Sequence, residues 1–317
     1  MPSFPKPSVA FDYQVGAEID ALRDYRDTKP GRSIPDKSRN RMLLASWNIA
    51  NLGLQKRRTK DYQLLAEMIS WFDLVALQEV NDNLAGLRSI QHCLPDSYKA
   101  LFSDKAGNDE RMAFLYDTDK ISLLEKVGEI AVPPKDHKYI KLSGVQRKFN
   151  GFDRNPFLAS FVSGSFRFLL VNVHLYFGKD TTADRDRRSL EAYAVSRWAD
   201  LRRDDKHAYV QDIIALGDFN LPKVIPGDVI YDALRKRGLR RPQHSTRVKS
   251  NIVDDKDYDQ IMFFPGLTKQ DFSGNMGIYD FDGALFRRLW EDHRRQFKSY
   301  LRYFISDHRI LWAEFVT

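Results

Sequence analysis

The sequence predicts an α/β domain. Apolar runs of strand length alternate along the chain with amphipathic stretches of helical period, and no internal repeat or low-complexity tract interrupts them. Several of the apolar runs end in a polar cluster, the way α/β enzymes bring polar groups to one rim of a sheet. The 317 residues are 43% hydrophobic and 29% charged, which excludes a disordered chain and a collagen-like repeat. At roughly 150 residues per domain the length allows two domains, but an α/β sandwich absorbs it largely as one.

Residues 1–41 are polar and carry Pro2, Pro5 and Pro7. Val15–Tyr25 reads as a short helix with Ile19 and Leu22 on one face, and residues 30–35 read as a linker. Residues 1–41 are therefore expected to be an extension packed on or linked to a main domain of residues 42–317. Met42–Trp47 suits a buried strand. Thr59–Phe72 reads as a helix capped by Thr59, with Leu64, Leu65, Met68, Ile69 and Phe72 on its apolar side. Asp73–Leu77 is a strand, and Leu84–Leu94 a helix. Ala113–Tyr116 and Ile121–Leu124 read as a hairpin around 117–119, and Phe157–Val162 with Phe166–His174 as another. Residues 131–154 read as a long surface loop near the site. Ala183–Leu201 is a charged helix, Asp212–Leu216 a strand, Leu285–Tyr303 an Arg-rich helix, and Tyr258–Phe264 and His308–Phe315 are strands.

Lys and Arg number 50 against 43 Asp and Glu, a net charge of +7 that favours a polyanionic partner. Cys93 is the single cysteine, so no intrachain disulfide forms. No apolar stretch reaches transmembrane length, and the first residues do not read as a signal peptide, so a cytoplasmic protein is expected.

The chemistry sits at the ends of the strand-like runs. Asn48 follows Met42–Trp47, Gln78-Glu79 follows Asp73–Leu77, Asn172-Val173-His174 closes the run from Phe166, and Asp218 and Asn220 follow Ile213–Leu216. Tyr258-Asp259 and Ser306-Asp307-His308 open later strands and reach the same rim if those strands run the other way. Three carboxylates (Glu79, Asp218, Asp307), two amides (Asn48, Asn220) and two imidazoles (His174, His308) make an oxygen-rich, thiol-free set suited to Mg2+. A zinc site asks for more His or Cys, and no phosphate-binding Gly-rich loop of the G-x-x-x-x-G-K-[ST] type is present. Alone, each piece has a plainer reading: Asn48 as a turn residue, Glu79 beside a helix start, His174 as a core histidine, Glu110-Arg111 as a surface ion pair. Together, and in this order, they point to one site.

The set Trp47-Asn48-Ile49, Gln78-Glu79, Glu110-Arg111, Asn172-Val173-His174-Leu175, Gly217-Asp218-Phe219-Asn220, Tyr258-Asp259 and Ser306-Asp307-His308 resembles the endonuclease/exonuclease/phosphatase superfamily, and within it the deoxyribonuclease I-like branch. Phe152-Asp153-Arg154-Asn155-Pro156 is similar to a further element of that branch, and the match runs in order from about Met42 to Thr317. The resemblance implies a four-layer α/β sandwich, with two mixed β-sheets packed face to face and flanked by helices. It implies Mg2+, with Mn2+ as a substitute, held by Glu79 with Asn48 and Asp307 nearby. Asp218 is then expected to deprotonate the attacking water, and Asn220 and His308 to bind the scissile phosphate with Asp259 fixing the His308 ring. His174, paired with Glu110, is expected to protonate the leaving oxygen, and Arg154 and Arg111 to contact the phosphate backbone. Two departures weaken the branch's minor-groove grip: Asn81 stands where it has an arginine, and Asn108 where it has a tyrosine. The basic run Phe286–Tyr303 is a candidate substitute, and equally a solvated helix face.

The expected function is that of a Mg2+-dependent phosphodiesterase, first of all an endonuclease acting on DNA. The alternative is a phosphoesterase of the same superfamily acting on a phospholipid, phosphoinositide or other small phosphate ester. A non-catalytic module with this fold would show a broken catalytic position, and none is found.

Overall fold

Eleven strands form two sheets in a computed structural model that describes residues 3–244 and 246–317. Met1 and Pro2 of the expected N-terminal extension lie outside the described residues. The first sheet contains β1 (Arg41–Leu52), β2 (Leu74–Asn81), β3 (Tyr98–Phe102), β4 (Glu110–Asp117), β10 (Phe272–Tyr279) and β11 (Ile310–Val316), in the order β10-β11-β1-β2-β4-β3. The second contains β5 (Ser122–Glu129), β6 (Phe157–Ser163), β7 (Phe166–His174), β8 (Ile213–Asp218) and β9 (Asp259–Phe263), in chain order. Each sheet mixes parallel and antiparallel pairs: β1 with β2 and β7 with β8 are parallel.

Side-chain alternation decides the layers. Along β1, Met42 and Leu44 enter a core shared with Phe157, Phe161, Phe168, Leu170, Leu216 and Ile261 of the second sheet, so this core lies between the sheets. Leu43, Ala45 and Trp47 face the other way, into a core with the helices α1 (Val15–Thr28), α2 (Thr59–Ser70), α3 (Ala85–Cys93) and α7 (Arg287–Phe304). On the outer face of the second sheet, Leu169, Val171, Ile213 and Ala215 pack with α4 (Thr182–Arg203) and α5 (Val229–Arg235). A short helix, α6 (Leu267–Asp271), leads into β10. Helices, sheet, sheet and helices make the four layers expected from the resemblance.

Several local expectations are corrected. The 117–119 turn does not close a hairpin. It is tight, with Ile121 N–H donating to the Asp117 carbonyl at 2.8 Å, but β2 and β3 occupy both edges of β4, so β5 crosses to the other sheet and pairs with β6. The N-cap of α2 is Arg58 rather than Thr59, because Asp61 accepts the Arg58 backbone N–H at 2.6 Å. Residues 131–154 do form the long, largely exposed loop expected, pinned by Ile140 and Phe149, which are buried against the outer helices. β3, β10 and α5 were not foreseen: β3 and α5 are short, and β10 is half exposed. In the N-terminal part, Leu22 is fully buried and its carbonyl accepts the Tyr279 hydroxyl at 2.7 Å, while Arg32 pairs with Asp280.

Candidate active site

The alternation that builds the inter-sheet core also builds the site. In β7, Phe168 and Leu170 point between the sheets, so Asn172 and His174 share their side. In β8, Ile214 and Leu216 give way to Asp218; in β9, Ile261 and Phe263 share the side of Asp259; in β4, Met112 and Phe114 share that of Glu110. Asn48 continues the row of Met42 and Leu44. At one end of the inter-sheet core the apolar residues thus change to polar ones. Register aligns them: His174 is opposite Asp218, and Asp218 opposite Asp259. Glu79 is out of phase with that row. The β2 ladder shifts between Leu77 and Val80 where Glu79 takes φ +58°, a left-handed bulge that re-aims the carboxylate. Gly217 (φ +129°) is needed for contact between β7 and β8, since a Cβ there would stand 2.2 Å from the Val173 carbonyl oxygen.

Beneath the site a polar layer joins the sheets. Gln78 Nε2 donates to Asn172 Oδ1 at 2.7 Å, and Asn172 Nδ2 donates to the Leu77 and Ala113 carbonyls at 3.1 Å each. Above it, Asn48 Nδ2 donates to Glu79 Oε1 (3.0 Å) and Asp218 Oδ2 (3.1 Å). Asp218 Oδ2 also lies 3.7 Å from His174 Nε2 and 3.9 Å from His308 Nε2, so one carboxylate oxygen faces both imidazoles. Ser306 Oγ donates to the Asn48 carbonyl (2.6 Å) and accepts the His308 backbone N–H (3.0 Å), fixing the turn that carries Asp307.

The two histidines differ electrostatically. Burial disfavours charge on His308, but Asp259, 2.8 Å from Nδ1, and then Asp218 outweigh it and hold its pKa well above the ordinary value. His174 goes the other way: burial and the neighbouring Arg154 push it down to about 4. Glu110 Oε2 lies 3.1 Å from His174 Nδ1, and burial raises Glu110 to about 7. A carboxylate behind an imidazole ordinarily raises the pKa of the ring, but at His174 burial and Arg154 outweigh that effect. Burial thus disfavours charge on both members of the Glu110–His174 pair.

These residues form the floor of a cleft of about 670 Å³ lined by Glu79, Arg154, His174, Asp218, Asn220, Asp307 and His308. Asn48, Glu110 and Asp259 stand behind that floor. Asn220, at φ +52°, donates Nδ2 to the Leu175 carbonyl (2.7 Å), and its N–H donates to Asp218. Of the two arginines expected to contact phosphate, Arg154 lines the cleft and Arg111 does not. Arg154 is buried and spends Nε and Nη2 on the His174 and Leu175 carbonyls, which braces the end of β7. Arg111 is not brought to the cleft: it pairs with Asp82 at 2.5 Å and donates to the Ser103 carbonyl. The rim also holds Tyr258, Arg302 of α7, and Phe4, Phe177 and Val253. The last three come from loops and the N-terminal segment, where no periodicity marks them.

The cleft fits a divalent cation. Five carboxylates line it (Glu79, Asp153, Asp218, Asp255, Asp307) against two guanidiniums, Arg154 and Arg302. Burial raises the pKa of Glu79, and Glu110 and Asp307 add to the rise. Asn48 Oδ1 is buried without a hydrogen-bond partner, as a ligand oxygen awaiting a cation would be. Asp218, Asp259 and His308 also offer three ligand atoms within 4.8 Å of one another. The Asp259–His308 hydrogen bond occupies that group, which makes the Glu79 side the better seat.

No family model matches the chain. A protein named deoxyribonuclease from Thioalkalivibrio sp. (strain K90mix) is 33% identical over 198 residues, 60% of this chain, and the match spans about half of that relative (49%). Among solved structures, an endonuclease/exonuclease/phosphatase from Bacteroides vulgatus aligns with a TM-score of 0.56 at 16% identity, covering 88% of this chain and 99% of the other. The mannosyl-6-phosphatase Bt3783 of Bacteroides thetaiotaomicron aligns at 0.55 with 19% identity, covering 87% and 100%. With its two packed mixed sheets and flanking helices, the chain has the fold of the endonuclease/exonuclease/phosphatase superfamily, of the deoxyribonuclease I-like kind that its motifs resemble.

Proposed function

We propose that this protein is a divalent-cation-dependent phosphodiesterase whose substrate is DNA. The observation that carries the reading is the convergence of Asp218, the Asp259–His308 dyad and the Glu110–His174 pair on one cleft floor. A water beside Asp218 gives its proton to that carboxylate as its oxygen attacks phosphorus. His308, held charged by Asp259, donates to a phosphate oxygen where negative charge builds. The leaving oxygen takes a proton from His174, paired with Glu110, as its bond to phosphorus breaks. Glu79, with Asn48 and Asp307, would hold Mg2+, which supplies charge neutralisation on the phosphate. Bound phosphate places negative charge beside His174 and favours its protonated ring. The net charge of +7 and the deoxyribonuclease relative support DNA.

One observation favours the second reading, a phosphoesterase acting on a small ester. The rim carries Phe177, 53% exposed, and Tyr258 edge-on to it, an apolar wall suited to a lipid or sugar as well as to a base. Supercoiled plasmid and a phosphomonoester, each incubated with Mg2+ and with chelator, test the choice. Chelator-sensitive nicking without phosphate release from the monoester is the expected result; the reverse pattern moves the protein to the second reading.

A further inference from the structure

Helix α7 ends at the cleft. Arg302, in its last turn, lines the mouth, packs against the Phe4 ring at 4.7 Å and lies 3.2 Å from Asp307. Arg154, the other guanidinium of the cleft, is buried and braced on carbonyl groups, so Arg302 is the exposed guanidinium at the mouth. The helix is interrupted at His293 (φ −139°), and the residues after it form one regular segment. Within that segment Arg295 and Lys298 precede Arg302 by seven and four positions, the spacing of one helix face. Leu301, Tyr300, Phe297 and Phe304 take the opposite, buried face. Among the described residues the ion pairs of α7 are Arg287–Glu291, Arg288–Asp292 and Arg302–Asp307, which leaves Arg295 and Lys298 exposed without a carboxylate.

From this the geometry points to a phosphate track: Arg295, Lys298 and Arg302 guide a nucleic-acid backbone along α7 into the cleft. The three positions span about 10 Å at 1.5 Å per residue. A small phosphate ester places its charge at one point, whereas duplex DNA carries a charge per roughly 1.7 Å of axis along the whole stripe. The stripe therefore selects a polyanion with flanking phosphates, and it supplies grip that Asn81 and Asn108 do not. The inference rests on the phosphodiesterase reading of the cleft and narrows its substrate class.

The test is the salt dependence of duplex-oligonucleotide binding by the full chain carrying Asp218→Asn, with and without Arg295→Gln plus Lys298→Gln. Two lost phosphate contacts lower the slope of log K against log salt by about 1.8. As a control for net charge, Arg167→Gln plus Lys206→Gln removes two charges near the opposite ends of β7 and β8 and leaves the slope within about half a unit. An unchanged slope in the α7 variant, an equal loss in the control, or no DNA binding by the parent overturns the track. So does α7-dependent sedimentation with vesicles of equal phosphatidylglycerol and phosphatidylcholine while DNA binding stays the same. Hydrolysis of bis(p-nitrophenyl) phosphate by the chain with Asp218 intact reports on the cleft separately: if it persists while the slope fails to change, only the track falls.

Discussion

The Asn48 amide donates to the Asp218 carboxylate at 3.1 Å and so joins β1 of one sheet to β8 of the other at the cleft floor. The same amide nitrogen donates to Glu79, so one side chain spaces the proposed cation seat from the proposed base. Replacing Asn48 with Ala removes both contacts. It is expected to lower turnover by at least tenfold and to weaken Mg2+ binding, measured by isothermal titration; unaltered binding would place the cation elsewhere.

The proposed cation seat makes a thermal prediction. A ligand that binds only the folded state stabilises it by RT ln(1 + [L]/Kd). The Tm of the wild-type chain is expected to rise with Mg2+ concentration and to fall back with chelator. Glu79→Gln keeps the shape and the Asn51 N–H contact but loses the charge, and its Tm should not respond to Mg2+.

His174 makes a prediction that depends on the leaving group. An alkoxide needs a proton as it departs, whereas p-nitrophenolate does not. His174→Ala is expected to lose about 10²–10⁴ in rate on DNA and far less on bis(p-nitrophenyl) phosphate. Equal losses on both substrates would assign the ring to binding.

His308 makes a prediction about pH. Burial opposes its charge, but Asp259 and Asp218 hold the folded pKa well above 6.5. The folded state therefore keeps a proton that the unfolded chain releases near 6.5. That contribution to stability is fully present below pH 6.5 and is lost as pH rises through the folded value. In the window between, the unfolding free energy should fall by up to about 1.4 kcal/mol per pH unit. Urea denaturation of Asp259→Asn should show this slope removed, because the carboxylate that sustains the charge is gone.

The layer beneath the cleft is structural. Asn172→Ala leaves Gln78 Nε2 and the Leu77 and Ala113 carbonyls without their partner between the sheets. A loss on the order of 3 kcal/mol in urea unfolding is expected; a change below about 0.5 kcal/mol would mean water fills the gap.

Much of this was legible in the sequence because strand alternation and site geometry obey the same period of two. Phe168, Leu170, Asn172 and His174 are one row, and the change from apolar to polar marks where the sheet meets the cleft. The bulge at Glu79 was not legible, since φ +58° at a glutamate is set by neighbours on β1 and β4 rather than by local preference. Neither was the bracing part of Arg154, whose guanidinium also donates to two carbonyls at the end of β7. The crossover from β4 to β5 escaped because a tight turn looks the same whether the next strand pairs with the last or leaves its sheet. Phe4 reaches the rim through tertiary packing alone.

In the proposed mechanism Asp218 acts at the junction of both imidazoles and the cation seat. Plasmid nicking in Mg2+ by wild-type protein and by Asp218→Asn, compared at equal Tm, tests it most directly. Chelator-sensitive nicking that drops by at least a hundredfold in the variant is the predicted result; a variant that nicks at the wild-type rate, or a wild-type chain indifferent to chelator, would contradict it.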